Sequence, residues 1–194
     1  MIFETLYKEG FIKIEDIQHT DTVLEYFNNL NNYKESLLDG RISCLEALEL
    51  PISIVHTLNT SIKNLKLIPK KWMARNVGLG FSLLPHVEHI LDESNNNPYD
   101  SKNSPATICL YISPPKFVGR EFVYGEIKNI EIYKKSAYFT YPYTTWDDPS
   151  LIIKGKIIPI TGQGVIIDRT NPKWWHGVTA LKTDCRIISI LGIL

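Results

Sequence analysis

Residues 106–113, Ala-Thr-Ile-Cys-Leu-Tyr-Ile-Ser, form an apolar run rich in β-branched and aromatic side chains, which predicts a buried strand. From Trp72 onward, similar short runs follow one another and are separated by Gly, Pro and Asn. Strands this closely spaced, with no helix between them, favour an antiparallel double sheet of the jelly-roll type over a parallel sheet. The other predicted strands are Val77–Leu84, Glu121–Tyr124, Ile127–Tyr133, Ile152–Ile160, Gly164–Asp168, Val178–Leu181 and Arg186–Leu194.

The first third of the chain has a different pattern. Gly10–Glu15 alternates apolar and polar residues, which predicts a first strand. Thr22 and Glu25 have the spacing of a capping box, and apolar residues then recur at helical spacing, so we expect a helix over about 22–38. Further helical spacing over Cys44–Leu67 predicts a second helix, with Pro51 in its first turn.

These two patterns predict one domain over residues 1–194. We expect residues 1–71 to be a mainly helical support and residues 72–194 to form the jelly-roll core, a double-stranded β-helix of the cupin-like type. The fold class is therefore mainly β, with N-terminal helices that buttress one face.

The composition is that of an ordinary globular protein. Of 194 residues, 44% are hydrophobic and 22% are charged, which argues against disorder, and the net charge of zero gives no clear nucleic-acid signal. No apolar run is long enough to span a bilayer, and the first residues lack the pattern of a signal peptide, so we expect a cytoplasmic protein that does not bind membranes. Cys44, Cys109 and Cys185 have no metal-site or disulfide spacing and are interpreted as structural. The oligomeric state is left open.

The stretch Leu84–His89, LPHVEH, lies at the end of a predicted strand. Because side chains at i and i+2 of a strand share one side, His86 and Glu88 project together and can bind one metal ion. His176, between two late strands, is a third candidate. Two histidines and one carboxylate on one face of a metal leave three positions open, as in non-haem Fe(II) oxygenases. Taken singly, each residue could also be a hydrogen-bonded histidine or a solvated glutamate.

Arg186 follows His176 by ten residues and lies in the apolar run of the last predicted strand. A charge buried there is costly unless it is paired. A guanidinium binds a carboxylate through two parallel hydrogen bonds, so Arg186 could bind the distal carboxylate of a dicarboxylate whose other end chelates the metal. The alternative is an internal salt bridge to an aspartate or glutamate.

Over residues 72–194 the sequence resembles the 2-oxoglutarate- and Fe(II)-dependent dioxygenases, in particular their prolyl-4-hydroxylase-like branch. The resemblance implies that His86, Glu88 and His176 hold Fe(II). It implies that Arg186 holds the C5 carboxylate of 2-oxoglutarate, and that Tyr111 hydrogen-bonds the same carboxylate from the neighbouring strand. It further implies O2 as co-substrate and ascorbate as a reductant. The segments that carry it are His86–Glu88, Ala106–Ser113, Val118–Phe122, Trp175–Val178 and Arg186.

The sequence departs from this family pattern in three places. Glu88 replaces the commoner aspartate and keeps the ligand charge. Arg120 stands where the family usually has a second glycine, so it either remodels the turn or brings a cation to the substrate mouth. The hydroxyl that often follows the arginine by two is here Ile188, and Ser189 points the other way, so Ser189 receives no cofactor role.

Two further features lie close to these residues. His89 completes an H-x-x-H with His86, but its odd offset favours a loop position at the mouth of the site over a ligand. The segment Tyr133–Pro149 is rich in aromatic residues, which predicts either core packing or a loop that covers the substrate.

The function we expect from the sequence is a 2-oxoglutarate-dependent dioxygenase that hydroxylates a C–H bond and releases succinate and CO2. The substrate would be a peptidyl residue, an amino acid or another small molecule, and the sequence does not select among them. Two alternatives remain open: a non-catalytic jelly-roll binding module, and a cupin-like metal enzyme that does not use 2-oxoglutarate.

Overall fold

The computed structural model describes residues 2–18, 20–30, 33–38, 42–47, 49–87, 104–136 and 143–194. Two antiparallel sheets make up most of this part of the chain, as a jelly roll requires. None of the helices within these ranges is long and apolar enough to cross a membrane.

The larger sheet has seven strands in the order β1-β9-β6-β11-β4-β3-β2. Its neighbouring strands are all antiparallel. The central strand β11 is buried along most of its length because other elements cover both faces of the sheet. The strands are β1 (Phe11–Ile14), β2 (Lys34–Leu38), β3 (Ile42–Ala47), β4 (Lys71–Val77), β6 (Ala106–Ile112), β9 (Gly164–Asp168) and β11 (Ile187–Ile193).

The smaller sheet has four antiparallel strands in the order β5-β10-β7-β8. Its outer strand β8 is largely exposed, and two of its lysines pair with Glu126 of β7 and with Glu121, which directly precedes β7. Such lysines on an edge strand discourage pairing with another chain. The strands are β5 (Leu83–His86), β7 (Phe122–Ile127), β8 (Leu151–Ile157) and β10 (Trp174–Val178).

Helices cover the outer face of the larger sheet. Phe27 and Leu58, from the second and third helices, pack with Ile108 and Ile190 of the sheet in one cluster of buried residues. Burial of each such side chain stabilises the fold by about 1.5–3 kcal/mol. The helices in this first part of the chain are α1 (Ile2–Glu9), α2 (Asp21–Asn29) and α3 (Ile52–Ser61), with a 3-10 turn at Lys63–Leu65. The fourth helix, α4 (Ile130–Ser136), packs through Tyr133 against the smaller sheet.

A second apolar cluster fills the space between the two sheets. Cys109 and Tyr111 of β6 meet Phe122 of β7 and Val178 of β10 there. Along β11, Ile188 and Ile190 belong to the cluster under the helices, whereas Leu191 packs into the interior cluster. Odd-numbered residues of β11 therefore face the interior, which decides what each polar residue of this strand can contact.

The predicted fold class is confirmed, whereas several elements of the first third differ from expectation. The predicted helix over 22–38 ends at Asn29, and Thr20, not Thr22, caps it by accepting a hydrogen bond from Val23 N. Lys34–Leu38 and Ile42–Ala47 are paired strands that extend the larger sheet, so residues 1–71 supply three strands as well as three helices.

Three predicted strands in the later part are also wrong. Only the first residue of Val178–Leu181 is in a strand, because β10 ends at Val178. Ile127–Tyr133 contains the start of a helix at Ile130, which the Asn129 side chain caps by accepting hydrogen bonds from the backbone N–H groups of Glu131 and Ile132. The run Val77–Leu84 is mainly the turn between β4 and β5. By contrast, Gly164–Asp168 forms a strand with the predicted bounds.

Candidate metal centre and active site

His86 and His176 are the centre of the candidate site. They are register partners on the adjacent strands β5 and β10, and the centroids of their imidazole rings lie 4.3 Å apart. Both side chains are buried, with 2% and 4% exposure. At this separation one nitrogen of each ring can reach a common metal ion at a metal–nitrogen distance of about 2 Å.

The hydrogen bond of His86 defines which of its nitrogens is available. Its Nδ1 lies 2.8 Å from the carbonyl oxygen of Leu84. A carbonyl only accepts hydrogen bonds, so Nδ1 carries the proton and Nε2 keeps a lone pair. A backbone carbonyl that holds one ring nitrogen, and so orients the other, is typical of metal-binding histidines.

Aromatic rings surround His176. Phe122 stacks on its imidazole with ring centroids 5.0 Å apart, and Phe11 packs edge-on at 6.0 Å. Phe122 belongs to the smaller sheet and Phe11 to the larger one, so the imidazole lies between the sheets. These rings restrict both the orientation of His176 and the access of water to it.

The third predicted ligand, Glu88, lies outside the described residues, and so does His89. Within the described ranges no group of three or more His, Cys, Asp or Glu residues could hold a metal ion. The structure thus brings together the two predicted histidine ligands and leaves the carboxylate as a prediction.

The segment after residue 142 packs directly over His86. The Tyr143 ring lies 5.0 Å from the His86 imidazole, and Thr144 N donates to the carbonyl of Pro85. Asp148 holds the segment in this conformation. Its buried carboxylate accepts hydrogen bonds from Thr144 Oγ1 at 2.5 Å, from Ser150 N at 2.8 Å and from Ser150 Oγ at 2.6 Å.

The aromatic segment predicted over Tyr133–Pro149 divides into two parts. Tyr133 is fully buried on α4, in a cluster that includes Trp175, so it is a core residue. Trp146 is 37% exposed and packs edge-on against Trp175, on the face of the smaller sheet opposite to His176, whereas the Tyr143 ring lies against His86. The aromatic residues between them, Tyr138, Phe139 and Tyr141, lie outside the described residues.

Gly177, next to His176, allows this close packing. A Cβ atom there would lie 2.9 Å from Trp146 Cη2 and 3.0 Å from both the Leu83 carbonyl oxygen and Pro85 N. Two of these atoms are backbone atoms of β5, so a side chain at 177 would have to displace that strand.

Arg186 has an environment different from the expected one. It is exposed and precedes β11, so the predicted burial of its charge is not found. Burial raises the pKa of Tyr33 to about 12, and the charge of Arg186 acts on this phenol in the opposite direction. Tyr33 packs against the cluster under the helices, and Arg186 is two residues before Ile188, which belongs to the same cluster. Strand alternation therefore puts Arg186 on the helix side of the larger sheet.

Tyr111 and Ser189 face the interior on the opposite side of the same sheet. They are register partners on β6 and β11, and both are buried. Burial raises the pKa of the Tyr111 phenol well above its usual value, so it is a neutral hydrogen-bond donor at physiological pH. The structure therefore separates Tyr111 from Arg186, which the resemblance placed on one carboxylate.

Arg120 is the buried cation of this interior. It is 6% exposed, its Nη2 donates to Ser189 Oγ at 3.1 Å, and its guanidinium lies 4.8 Å above the Phe81 ring. Its backbone has a positive φ of 63°, which costs a non-glycine residue about 1–2 kcal/mol. The sequence left open whether Arg120 remodels the turn or brings a cation to the substrate mouth, and the structure places its side chain between the two sheets.

Comparison with solved structures identifies the fold. The chain is similar to a prolyl hydroxylase from Trichoplax adhaerens, solved in complex with a hypoxia inducible factor oxygen degradation domain peptide fragment, with 15% identity, a TM-score of 0.60 and coverage of 100% of this chain and 87% of that one. It is also similar to a Pseudomonas putida prolyl-4-hydroxylase, with 11% identity, a TM-score of 0.58 and coverage of 99% and 96%.

A third similar structure is the non-heme alpha ketoglutarate dependent epimerase SnoN from nogalamycin biosynthesis, with 13% identity, a TM-score of 0.62 and coverage of 98% and 80%. No protein-family model matches the sequence, and no curated protein matches it. At these identities the likeness shows the fold, which is that of the 2-oxoglutarate- and Fe(II)-dependent oxygenases.

Proposed function

We propose that this protein is a non-haem Fe(II)- and 2-oxoglutarate-dependent dioxygenase that hydroxylates a C–H bond of a peptidyl residue, an amino acid or another small molecule. The observation that carries the proposal is the buried cross-strand pair His86 and His176, inside a fold shared with such oxygenases. The proposal is supported by the chemistry of the donors and by the walls around them.

The proposed metal ligands are His86, His176 and Glu88. Two imidazole nitrogens and one carboxylate are the donor set of non-haem Fe(II) oxygenases, and Nδ1 of His86 is hydrogen-bonded to the Leu84 carbonyl, so Nε2 is the proposed donor. The residues present therefore fit an iron ion. When bound, Fe(II) and 2-oxoglutarate supply the oxidising chemistry, with O2 consumed and succinate and CO2 released.

The protein itself orients the ligands and limits access to them. Phe11 and Phe122 enclose His176, and Tyr143 covers His86. Tyr143 is proposed to form part of the substrate entrance, because its ring lies against His86 and is only partly buried. A substrate held against these rings would lie close to the proposed metal.

The distal carboxylate of 2-oxoglutarate needs a cation in the interior. The sequence motif assigns this role to Arg186, but the exposed position of that residue on the helix side does not support it. Tyr111 remains a proposed contact because it faces the interior.

The substrate class is proposed from the solved structures. One of the similar enzymes was solved with a peptide fragment, and another is an epimerase, so the fold accommodates both large and small substrates. For this chain, peptides, amino acids and small molecules all remain candidates.

The test is an anaerobic titration of the purified protein with Fe(II), followed by 2-oxoglutarate turnover against a panel of peptides and amino acids. We expect one Fe(II) per chain, a visible charge-transfer band when 2-oxoglutarate is added, and succinate formation under O2. Binding of the metal without any binding of 2-oxoglutarate would favour the cupin-like metal enzyme. Absence of metal binding would favour the non-catalytic binding module.

A further inference from the structure

We propose that Arg120, with Tyr111 and Ser189, binds the distal carboxylate of 2-oxoglutarate, and that Arg186 does not. The inference rests on the proposed function, which supplies the ligand, and it changes which residue recognises it. It is carried by the position of Arg120 between the sheets.

The Arg120 guanidinium is buried without a counter-charge. No carboxylate of the described residues pairs with it, and its Nε has no hydrogen-bond partner among them. The groups that act on its charge are Tyr111, Cys109 and Arg75, none of which is an acid in its ionised form at neutral pH. A buried cation is costly unless it is paired, so we infer that an anion from outside the described residues pairs with Arg120.

The groups around Arg120 are hydrogen-bond donors. Ser189 Oγ accepts a bond from Arg120 Nη2, and the hydroxyl groups of Ser189 and Tyr111 hydrogen-bond the Cys109 sulfur. Sulfur is a weak acceptor, so a carboxylate placed beside Arg120 would take over both hydroxyl hydrogens. Tyr111 lies opposite Ser189 in the register, and its raised pKa keeps the phenol protonated. A guanidinium with two hydroxyl groups is a donor set that matches a carboxylate, which accepts several hydrogen bonds.

The position of Arg120 fits a ligand that extends from the metal. Arg120 N bonds to Ala180 O, whereas His176 lies opposite Tyr124, so the two residues are four positions apart along the paired strands. Phe122, which stacks on His176, lies between them in the same interior. A molecule that reaches both the metal and Arg120 must therefore be elongated and carry a negative charge at its far end.

Arg186 is the competing proposal, and it has the opposite properties. Arg186 is exposed, and its positive charge lowers the pKa of Tyr33, which lies on the helix side of the sheet. A solvated guanidinium on that face can neither contact Tyr111 nor be desolvated by a ligand between the sheets. Assignment of the distal carboxylate to Arg120 and assignment to Arg186 therefore predict opposite results for the same measurement.

The experiment compares two ligands in four proteins. Isothermal titration calorimetry on the anaerobic Fe(II)-loaded protein measures the affinity for 2-oxoglutarate and for 2-oxopentanoate, in which a methyl group replaces the distal carboxylate. The proteins are the wild type, Arg120→Leu, Arg120→Lys and the matched control Arg186→Leu. We expect Arg120→Leu to lower the affinity for 2-oxoglutarate about 30-fold or more and to leave that for 2-oxopentanoate nearly unchanged.

Arg120→Lys keeps the charge but loses the planar fork, so it should restore only part of the preference for 2-oxoglutarate. Arg186→Leu should bind both ligands as the wild type does. A loss of the preference in Arg186→Leu, or its retention in Arg120→Leu, would overturn the inference and leave the proposed function intact. A wild type that binds Fe(II) but neither ligand would overturn the proposed function itself.

Removal of a buried arginine can also prevent folding, so thermal melting of each variant accompanies the titration. If Arg120→Leu does not fold, Arg120→Lys and Ser189→Ala decide the question. Ser189→Ala removes the hydroxyl that contacts Arg120 without removing a charge, and we expect about a tenfold loss of 2-oxoglutarate affinity. Unchanged affinity in both variants would overturn the inference.

Discussion

His86 and His176 are held together by the backbone of one sheet, since they face each other across β5 and β10 with ring centroids 4.3 Å apart. Neighbouring strands lie about 4.8 Å apart, so the spacing of the two imidazoles follows from the spacing of the strands. Groups held on strands keep their geometry better than groups held on loops.

The histidine pair gives the first prediction. His86→Ala and His176→Ala should each remove Fe(II) binding and turnover while the protein stays folded. Loss of even an outer hydrogen-bond partner of a metal ligand costs about 10–100-fold in metal affinity, so loss of the ligand itself should cost more. Iron content and circular dichroism measure the two effects.

The control for this pair is His56→Ala, because His56 is exposed on α3. It should bind Fe(II) as the wild type does. One full equivalent of iron at unchanged affinity in either His86→Ala or His176→Ala would contradict the ligand assignment.

The second prediction separates two tyrosines of the aromatic segment. Tyr133→Ala should cost about 3–5 kcal/mol of unfolding free energy because Tyr133 is fully buried. Tyr143→Ala should leave stability nearly unchanged and impair coupling between 2-oxoglutarate consumption and substrate oxidation. Denaturant unfolding and the ratio of succinate to oxidised substrate provide the two measurements. A large loss of stability with normal coupling in Tyr143→Ala would show that Tyr143 is a core residue and does not belong to the substrate entrance.

The third prediction concerns the carboxylate that holds the segment over His86. Asp148→Ala leaves Thr144 and Ser150 without their acceptor, which should cost about 1–3 kcal/mol of unfolding free energy. The neighbouring Asp147 is exposed, so Asp147→Ala is the matched control. Equal stability of the two variants would show that the Asp148 hydrogen bonds do not hold the segment.

The fourth prediction tests where Arg186 lies. Burial raises the pKa of Tyr33 to about 12, and the positive charge of Arg186 lowers it by favouring the phenolate. Arg186→Leu should therefore raise the pKa of Tyr33 further, as measured by NMR titration of labelled tyrosine. Since Tyr33 titrates higher in the folded state than in the unfolded one, stability should fall as pH rises from about 10 towards 12. Tyr33→Phe should reduce this pH dependence, and an unchanged Tyr33 pKa in Arg186→Leu would place the guanidinium elsewhere.

Strands with strong local signals could be predicted from the sequence, whereas those that depend on tertiary pairing could not. Gly164–Asp168 has three consecutive β-branched apolar residues between a glycine and an aspartate, so its bounds can be predicted. Lys34–Leu38 continues a helical spacing and becomes a strand by pairing with Ile42–Ala47. The Asp39-Gly40 dipeptide between these two runs is a common hairpin signal that we interpreted only as a helix break.

Some residues of the candidate site could likewise be predicted from the sequence, and others could not. His86 and His176 were predictable because a metal site restricts residue type and spacing. The face of Arg186 was not, because β11 is buried on both sides and its apolar residues do not reveal which side is the interior. For the same reason Ser189 received no role, although the structure places it against Arg120.

The packing at Gly177 has a consequence for the tuning of the site. A methyl group at this position would push on Trp146 and on the β5 backbone at Leu83 and Pro85, immediately before His86. The distance between the metal-binding nitrogens of His86 and His176 therefore depends on the absence of a side chain at Gly177, the residue next to His176. A substitution at Gly177 can then change metal selectivity without altering a ligand, because a larger separation of the two donor nitrogens favours a larger ion.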